Sequence, residues 1–425
     1  MSERPAASRA VAARAVWILT TCTALALIGD GTIYAVLPAM FPAVGVTAMQ
    51  VGMLLSINRL VRPPLNIFSG WLITRVDPHW PYMLGLAIGA LSTLGYGLVQ
   101  GFWPLFMMRA LWGVAWALLA VAAYAMVLDV TAPEFRGRYA GVYHTLSFFG
   151  GAVGALGGGF MADHLGFSRT MITLGLLSAS AVGLVLFLPR RAVRRTHRAH
   201  VEQEGAPAAL GARARAVIQG MRGLDTRLWL ILGLNFCERL FFAGVFYGTL
   251  GYFLAQTLPE GVTLGRIAIG VASLSGLLLF TRNLLSVISG PGFGYLSDRL
   301  RDRTLVLLLG EVFGVAGLLS FAAGSSLALI VIGVVLTALA YGVVSPMLVS
   351  WMGDLTQRGG RGSIVGAYQT MGDLGSGLGP LAAYPLMELW GPQPVYLLSA
   401  ILLAGTIPAI LWARRRGNMG RAVSR

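Results

Sequence analysis

Ten ionisable side chains stand where this sequence is otherwise apolar: Asp30, Arg59, Arg62, Arg109, His144, Glu238, Arg239, Arg282, Glu311 and Asp373. In hydrocarbon an Asp or Arg costs roughly 2.5 to 3.5 kcal/mol even on lenient scales, so each needs a partner or a wetted cavity. Five arginines against four carboxylates nearly balance, as in an interior of paired charges. Two kinds of chemistry are open to such a set. A carboxylate can exchange a proton as a neighbouring cation comes and goes, and guanidinium forks can grip a charged solute.

Asp30 is flanked by Gly29 and Gly31, which permit close approach or local unwinding around the carboxylate. It reads either as a proton-coupling site or as a permanent ion pair with Arg59, Arg62 or Arg109 that fixes packing. Arg59 and Arg62 are three apart and so share a helix face, with a kink expected beyond them at Pro63-Pro64. Together they could hold an anion; alternatively one of them reaches the headgroups. Asn66 and the Arg282-Asn283 pair extend this polar surface. Glu238 and Arg239 are adjacent and point about 100° apart, so one lines the path while the other pairs laterally. Glu311 lies near a span end and reads either as a functional group or as a structural partner of a loop arginine. The aromatics Trp112, Trp116, Phe241, Phe242, Phe246 and Tyr247 read mainly as helix packing. The expected proton-coupling set is therefore Asp30, Arg109, Glu238 and Asp373. The expected substrate-binding set is Asp30, Arg59, Arg62, Asn66, Arg109, His144, Glu238, Arg239, Arg282, Asn283, Gln369 and Asp373.

The elements that must position these groups are membrane spans. The chain is 56% hydrophobic and 12% charged, with 56 glycines that suit close helix contacts in lipid. Runs long enough to cross about 30 Å of hydrocarbon lie near 15–41, 48–72, 81–100, 103–129, 139–163 and 169–189. A second set lies near 228–257, 265–296, 304–323, 326–352, 363–388 and 392–413. The apolar run after Arg14 is too long for a signal peptide and is expected to be a retained first span. Twenty-five arginines fall on one side of this map, against Arg169 and Arg266 on the other. The positive-inside rule then puts both termini in the cytoplasm and makes the span number even.

Sliding the chain by 225 residues lays Asp129, Thr131, Arg136, Gly137, Gly141, Tyr143, Thr145, Gly150 and Gly154 on Asp354, Thr356, Arg361, Gly362, Gly366, Tyr368, Thr370, Gly375 and Gly379. Parallel repeats of this kind place a binding site between the halves near the bilayer midplane. By the same offset His144 falls on Gln369, and Asp373 on Phe148. Repeat symmetry therefore does not account for Asp373, which makes it a functional candidate; His144 reads as a packing residue or a proton relay. The expected division is a cytoplasmic N-terminus at 1–14, a six-helix bundle at 15–189, an Arg-rich linker at 190–227, a second bundle at 228–413 and a basic tail at 414–425. The linker could carry an amphipathic helix on anionic headgroups.

Gly294-Tyr-Leu-Ser-Asp298-Arg299-Leu-Arg-Asp302-Arg303 fits G-x-L-x-D-R-x-x-x-R, with charges able to bond across the seam between the halves. Here the sequence resembles the major facilitator superfamily, whose signature loop follows the second span and recurs after the eighth. The first copy, from Gly70 through Arg75, has Thr74 where the family has Asp, leaving Asp77 or Asp129 to substitute. The resemblance extends to Arg109-Ala-Leu-Trp-Gly113, where the family's intramembrane Arg is associated with proton coupling. It extends also to Gly154-Ala155-Leu-Gly-Gly158-Gly159, similar to an antiporter motif but with Ala155 in place of Pro. It covers 15 to 413 and implies an all-α membrane protein, twelve transmembrane helices in two bundles related by a pseudo-two-fold axis. It implies gating loops around Gly70, Arg75, Asp129, Gly294, Asp298, Arg299, Arg303 and Asp354.

The implied function is proton-coupled movement of a small organic solute by alternating access, with export favoured. Symport uptake of an organic anion and a non-transporting receptor or assembly component are the alternatives. The 32 basic residues are all Arg, so a Lys-bearing phosphate loop and a Schiff base are both excluded. Cys22 and Cys237 read as apolar fillers, and no disulfide, cofactor, metal site or enzymatic activity is expected. The net charge of +15 sits largely in loops, so no nucleic-acid partner is expected. A monomer in the inner membrane, with a small-molecule substrate, protons and the bilayer as partners, completes the expectation.

Overall fold

The computed structural model describes residues 9–204, 210–211, 225–300, 302–324, 326–355 and 361–415. The expected N-terminal segment before Arg9, the linker at 205–209 and 212–224, Arg358 and the tail beyond Arg415 lie outside the described residues. Backbone polar groups in hydrocarbon must be satisfied within the segment, and helices result. In the first half these are α1 (Arg9–Met40), α2 (Ala48–Leu60), α3 (Arg62–Ile73), α4 (His79–Leu98), α5 (Phe102–Val130), α6 (Arg136–Leu165) and α7 (Phe167–Leu184). Helix α8 (Arg190–Glu204) follows. The second half holds α9 (Thr226–Glu238), a π-helical stretch (Arg239–Phe246), α10 (Tyr247–Thr257), α11 (Val271–Leu300), α12 (Arg303–Ala323), α13 (Leu327–Leu355), α14 (Arg361–Trp390), α15 (Pro392–Ala404) and α16 (Thr406–Arg415).

Among the described residues, ten helical stretches are long and apolar enough to cross a membrane. The remaining two of the twelve, residues 48–73 and α14, carry Arg59, Arg62, Asn66, Gln369 and Asp373 and lie against each other across the halves. Their polarity is turned to the seam.

The structure differs from the sequence expectation at three places. The 48–73 span breaks at Val61, ahead of the prolines, so Arg59 ends one helix and Arg62 opens the next. Pro63 and Pro64 lack the N–H groups that would bond the carbonyls of Arg59 and Leu60, so the ladder fails one turn before them. Residues 265–270 belong to a hairpin in which Val262–Leu264 pairs with Ile267–Ile269, and the span begins only at Val271. Gly265, at φ 63°, supplies the left-handed turn that a two-residue loop requires. The third difference is the π-helical stretch, a wide turn with no marker in the residues.

Within the first half, α1 and α6 meet backbone to backbone: a side chain at Gly150 would strike Ala24, and one at Gly154 would strike Ile28. The apolar core has the shape of a fork. One cluster joins both halves, with Ile33, Val51, Leu55, Phe246, Leu250 and Tyr384 among its members. Toward the face that carries Arg9 and Arg415 it divides into two separate clusters. One lies around Trp112, Leu119 and Met126, the other around Leu232, Val344 and Leu348.

Candidate functional site

The cleft between the two prongs is where the buried charges gather. On the first-half wall, Arg109 of α5 is 1% exposed and donates through Nη1 to Asp30 Oδ1 at 2.8 Å and through Nε to the Leu54 carbonyl at 3.2 Å. Asn58 Nδ2 also donates to Asp30, at 3.4 Å, while its Oδ1 accepts from Arg62 Nη2 at 2.7 Å. Arg59 Nε donates to the Tyr34 hydroxyl at 3.3 Å. The Tyr34 ring lies within cation–π range of both Arg59 and Arg109, 5.8 and 5.3 Å from centroid to guanidinium carbon, and Arg62 stands 5.4 Å over Trp116.

The opposite wall answers in kind. Arg239 Nη1 donates to the Tyr341 hydroxyl at 3.0 Å, and Arg282 sits 4.2 Å over the same ring and 5.6 Å from Tyr247. Arg282 Nη1 donates to Asn283, whose amide in turn donates to the Tyr247 hydroxyl at 3.3 Å. Tyr34 and Tyr247 meet edge to face at 5.3 Å and close the row between the halves. Glu238 Oε2 lies 3.6 Å from Arg239 Nε; the carboxylate is buried while the guanidinium is a quarter exposed. The adjacent pair thus divides as the 100° offset requires, one inward and one to the cleft.

Asp373 bridges the seam itself. Its Oδ2 accepts from Asn66 Nδ2 at 3.4 Å, and its Oδ1 lies 3.9 Å from Arg62 Nη1. The structure therefore brings Asp30, Arg59, Arg62, Asn66, Arg109, Arg239, Arg282, Asn283 and Asp373 to one cleft, with Glu238 buried behind Arg239. His144 and Gln369 are exposed at the border of the cleft: His144 stacks at 4.6 Å on Phe148, which also meets the Trp116 ring under Arg62, and Gln369 stands one helical turn before Asp373. Glu311, for which partnering a loop arginine is one of two expected roles, is buried in mid-α12, where its helix packs α13 and α15. Tyr34, Asn58 and Tyr341 escaped the sequence reading. Signals existed for two of them: Tyr34 follows Asp30 by one helical turn, and the 225 offset carries Trp116 onto Tyr341.

Among the described residues, several charged members of the loop motifs find partners within their own halves. Arg303 pairs with Asp354, while Asp302 caps α12 and takes Arg414 at 3.0 Å. In the first half Arg75 lies over Trp71, Asp77 pairs with Arg190 at 3.5 Å, and Asp129 bonds His197 of α8. Gly70 lies in α3; Gly294, Asp298 and Arg299 end α11, with Asp298 and Arg299 exposed. His197 has an acceptor at each nitrogen, Asp129 at Nδ1 and the Ile73 carbonyl at Nε2, 2.8 Å away. Burial alone would depress this imidazole, but the bonds to Asp129 and Ile73 outweigh it and hold the group above its ordinary value.

Two related helical bundles, sharing a core at one face and enclosing a charged cleft toward the other, define a polytopic membrane transporter. The chain belongs to the Major Facilitator Superfamily, which it matches over residues 19–280 and 240–423. It is 30% identical to the chromaffin granule amine transporter of Rattus norvegicus over 131 residues, 31% of this chain and 25% of that one. It is 29% identical to multidrug resistance protein 2 of Bacillus subtilis over 171 residues, 40% of each chain. The chain thus spans between a quarter and two fifths of the length of these curated relatives. The crystal structure of the nucleoside transporter NupG superposes with a TM-score of 0.75 at 14% identity, covering 94% of this chain and 99% of that one.

Proposed function

We propose that this transporter is a proton-coupled carrier of a small organic solute, working by alternating access with export by antiport as its direction. The Asp30–Arg109 pair carries the reading. A proton arriving on Asp30 would release a cation that, among the described residues, no other bonded carboxylate holds, and Arg109 also faces Tyr34, which Arg59 touches. Glu238 and Asp373 are the second-half members of the coupling set, and the remaining cleft residues form the substrate surface. The relative named for multidrug resistance supports the export direction. The arginine asymmetry supports an inner-membrane protein with cytoplasmic termini, and the forked core then corresponds to an inward-facing state. The partition at 15–189 and 228–413 is proposed as the two moving bodies of a monomer. The test is flux in proteoliposomes under an imposed pH gradient: Asp30→Asn and Asp373→Asn should abolish gradient-driven flux, and unchanged coupling in both variants refutes the assignment.

One observation favours a second reading, uptake of an organic anion. Arg59, Arg62, Arg239 and Arg282 line the cleft with Asp373, Glu238 lying behind Arg239, and Arg62 Nε together with Arg282 Nε and Nη2 are buried without a hydrogen-bond partner. Such donors await acceptors. Stabilisation of the purified protein by organic anions but not by organic cations in a thermal-shift panel selects this reading. Binding without flux would instead select a receptor.

A further inference from the structure

At the face opposite the termini, each half places a carboxylate on the start of a helix belonging to the other half. Asp163, near the end of α6, accepts from the backbone N–H of Ser273 in the first turn of α11 at 2.7 Å. Glu388, near the end of α14, accepts from the backbone N–H of Met49 in the first turn of α2 at 3.0 Å. The first N–H groups of a helix have no partner within it and carry partial positive charge, so a carboxylate there is doubly favoured. Helix α11 has special need of one, because the residue before it is Gly270, which offers no capping side chain. A Cβ on Gly270 would collide with the Asp163 carboxylate, so the glycine is what lets the acid of the other half sit on the helix end. Helix α2 has its own cap, Thr47, which takes the Gln50 N–H; Glu388 takes the neighbouring Met49 N–H that Thr47 leaves open.

The two contacts are related by the internal repeat. The offset of 225 carries Asp163 onto Glu388, and it carries Met49 onto Leu274, next to Ser273. Both lie beside the same seams. Gly159 abuts Ala272 and Gly276 abuts Ala155 on one side; on the other, Gly52 abuts Pro380 and Tyr384. All these contacts belong to the undivided end of the core.

We propose that Asp163 and Glu388 are positioning residues of the transport cycle, a matched pair of carboxylate caps that hold the outer gate shut and must let go when the protein opens to that face. This rests on the reading that the two bundles rock about the cleft. Neither acid touches the substrate surface. Their effect is on the balance between the two states, and losing one cap should move that balance roughly fivefold, the scale of a typical helix N-cap. Losing both should move it by about the product, because the sites are distant and share no partner.

The test uses the full chain in liposomes, with Cys22→Ala and Cys237→Ala as background and a single reporter thiol. Leu55→Cys sits in the undivided core, where Gly248 of the other half approaches it; Phe148→Cys sits in the cleft, where Phe148 is 48% exposed. A membrane-impermeant maleimide is applied from the outer face to the first reporter and from the terminus face to the second. Asp163→Ala, Glu388→Ala and Gly270→Ala should each speed labelling at Leu55→Cys severalfold and slow it at Phe148→Cys. Unchanged rates at both reporters overturn the proposal. Faster labelling at both also overturns it, since that marks loosening of the whole fold. Flux measured on the same vesicles separates the two readings: reciprocal labelling without flux removes the transporter reading, and flux with unchanged labelling removes only the caps.

Discussion

Arg109 and Asp30 are both buried, and their bond at 2.8 Å is the shortest link between a carboxylate and a guanidinium in the cleft. Removing one partner strands the other in low dielectric, which typically costs about 3 to 5 kcal/mol. Asp30→Leu and Arg109→Leu should therefore each lower the melting temperature sharply, and the double variant should recover much of the loss; thermal unfolding in detergent reads this directly. The existence of buried charge was legible in the sequence, since an acid among apolar residues announces itself. Which arginine Asp30 would choose was not, because Arg59, Arg62 and Arg109 were equally plausible until helix rotation was fixed. Tyr341 hid for a different reason. An aromatic inside an apolar helix gives no chemical signal, and only the repeat, which pairs it with Trp116, could have marked it. Asp163 and Glu388 were passed over because they stand at span ends, where a carboxylate is unremarkable until the opposing helix start is seen above it.

At the scale of elements, α8 is pinned to the first bundle by His197. Both of its nitrogens meet acceptors, and Asp77, paired to Arg190, adds further negative charge nearby. Because the folded imidazole is held above its ordinary value, the docking it provides is complete below about pH 6.5 and is lost as pH rises through the higher folded value. Proteolysis of α8 should accelerate across that rise, and His197→Gln should flatten the profile. The α1–α6 contact gives a second prediction: Gly154→Val forces a branched side chain onto Ile28 and should cost roughly 1 to 3 kcal/mol of stability, again visible as a lower melting temperature. Apolar length made the helices legible. The break at Val61 falls two residues ahead of the expected kink because a proline disrupts the bonds behind it, and the second strand of the hairpin, Ile267–Ile269, was read as span because its residues are as apolar as the helix that follows.

At the scale of the whole molecule the helical fold and the family were the most legible, since hydropathy and the 225 offset report on the chain as a unit rather than on any contact. Its conformational state was not, because the same twelve helices serve either opening. A Cβ on Gly52 would stand 3.0 Å from the Tyr384 Cβ across the undivided end, so a parting of the two helices by several tenths of an ångström brings the pair to the roughly 3.5 to 4.5 Å that a disulfide spans. The pair Gly52→Cys and Tyr384→Cys should therefore form a disulfide on oxidation, arrest flux, and release it on reduction; flux that survives full cross-linking would show that this end need not part. The forked core has a consequence for the surrounding lipid. A body joined at one face and split at the other is a wedge, wider in one leaflet than in its opposite. Reversing the wedge exchanges area between leaflets, so curvature stress does work on the change, and cone-shaped or single-chain lipids placed in one leaflet should tilt the balance with no contact to the cleft at all.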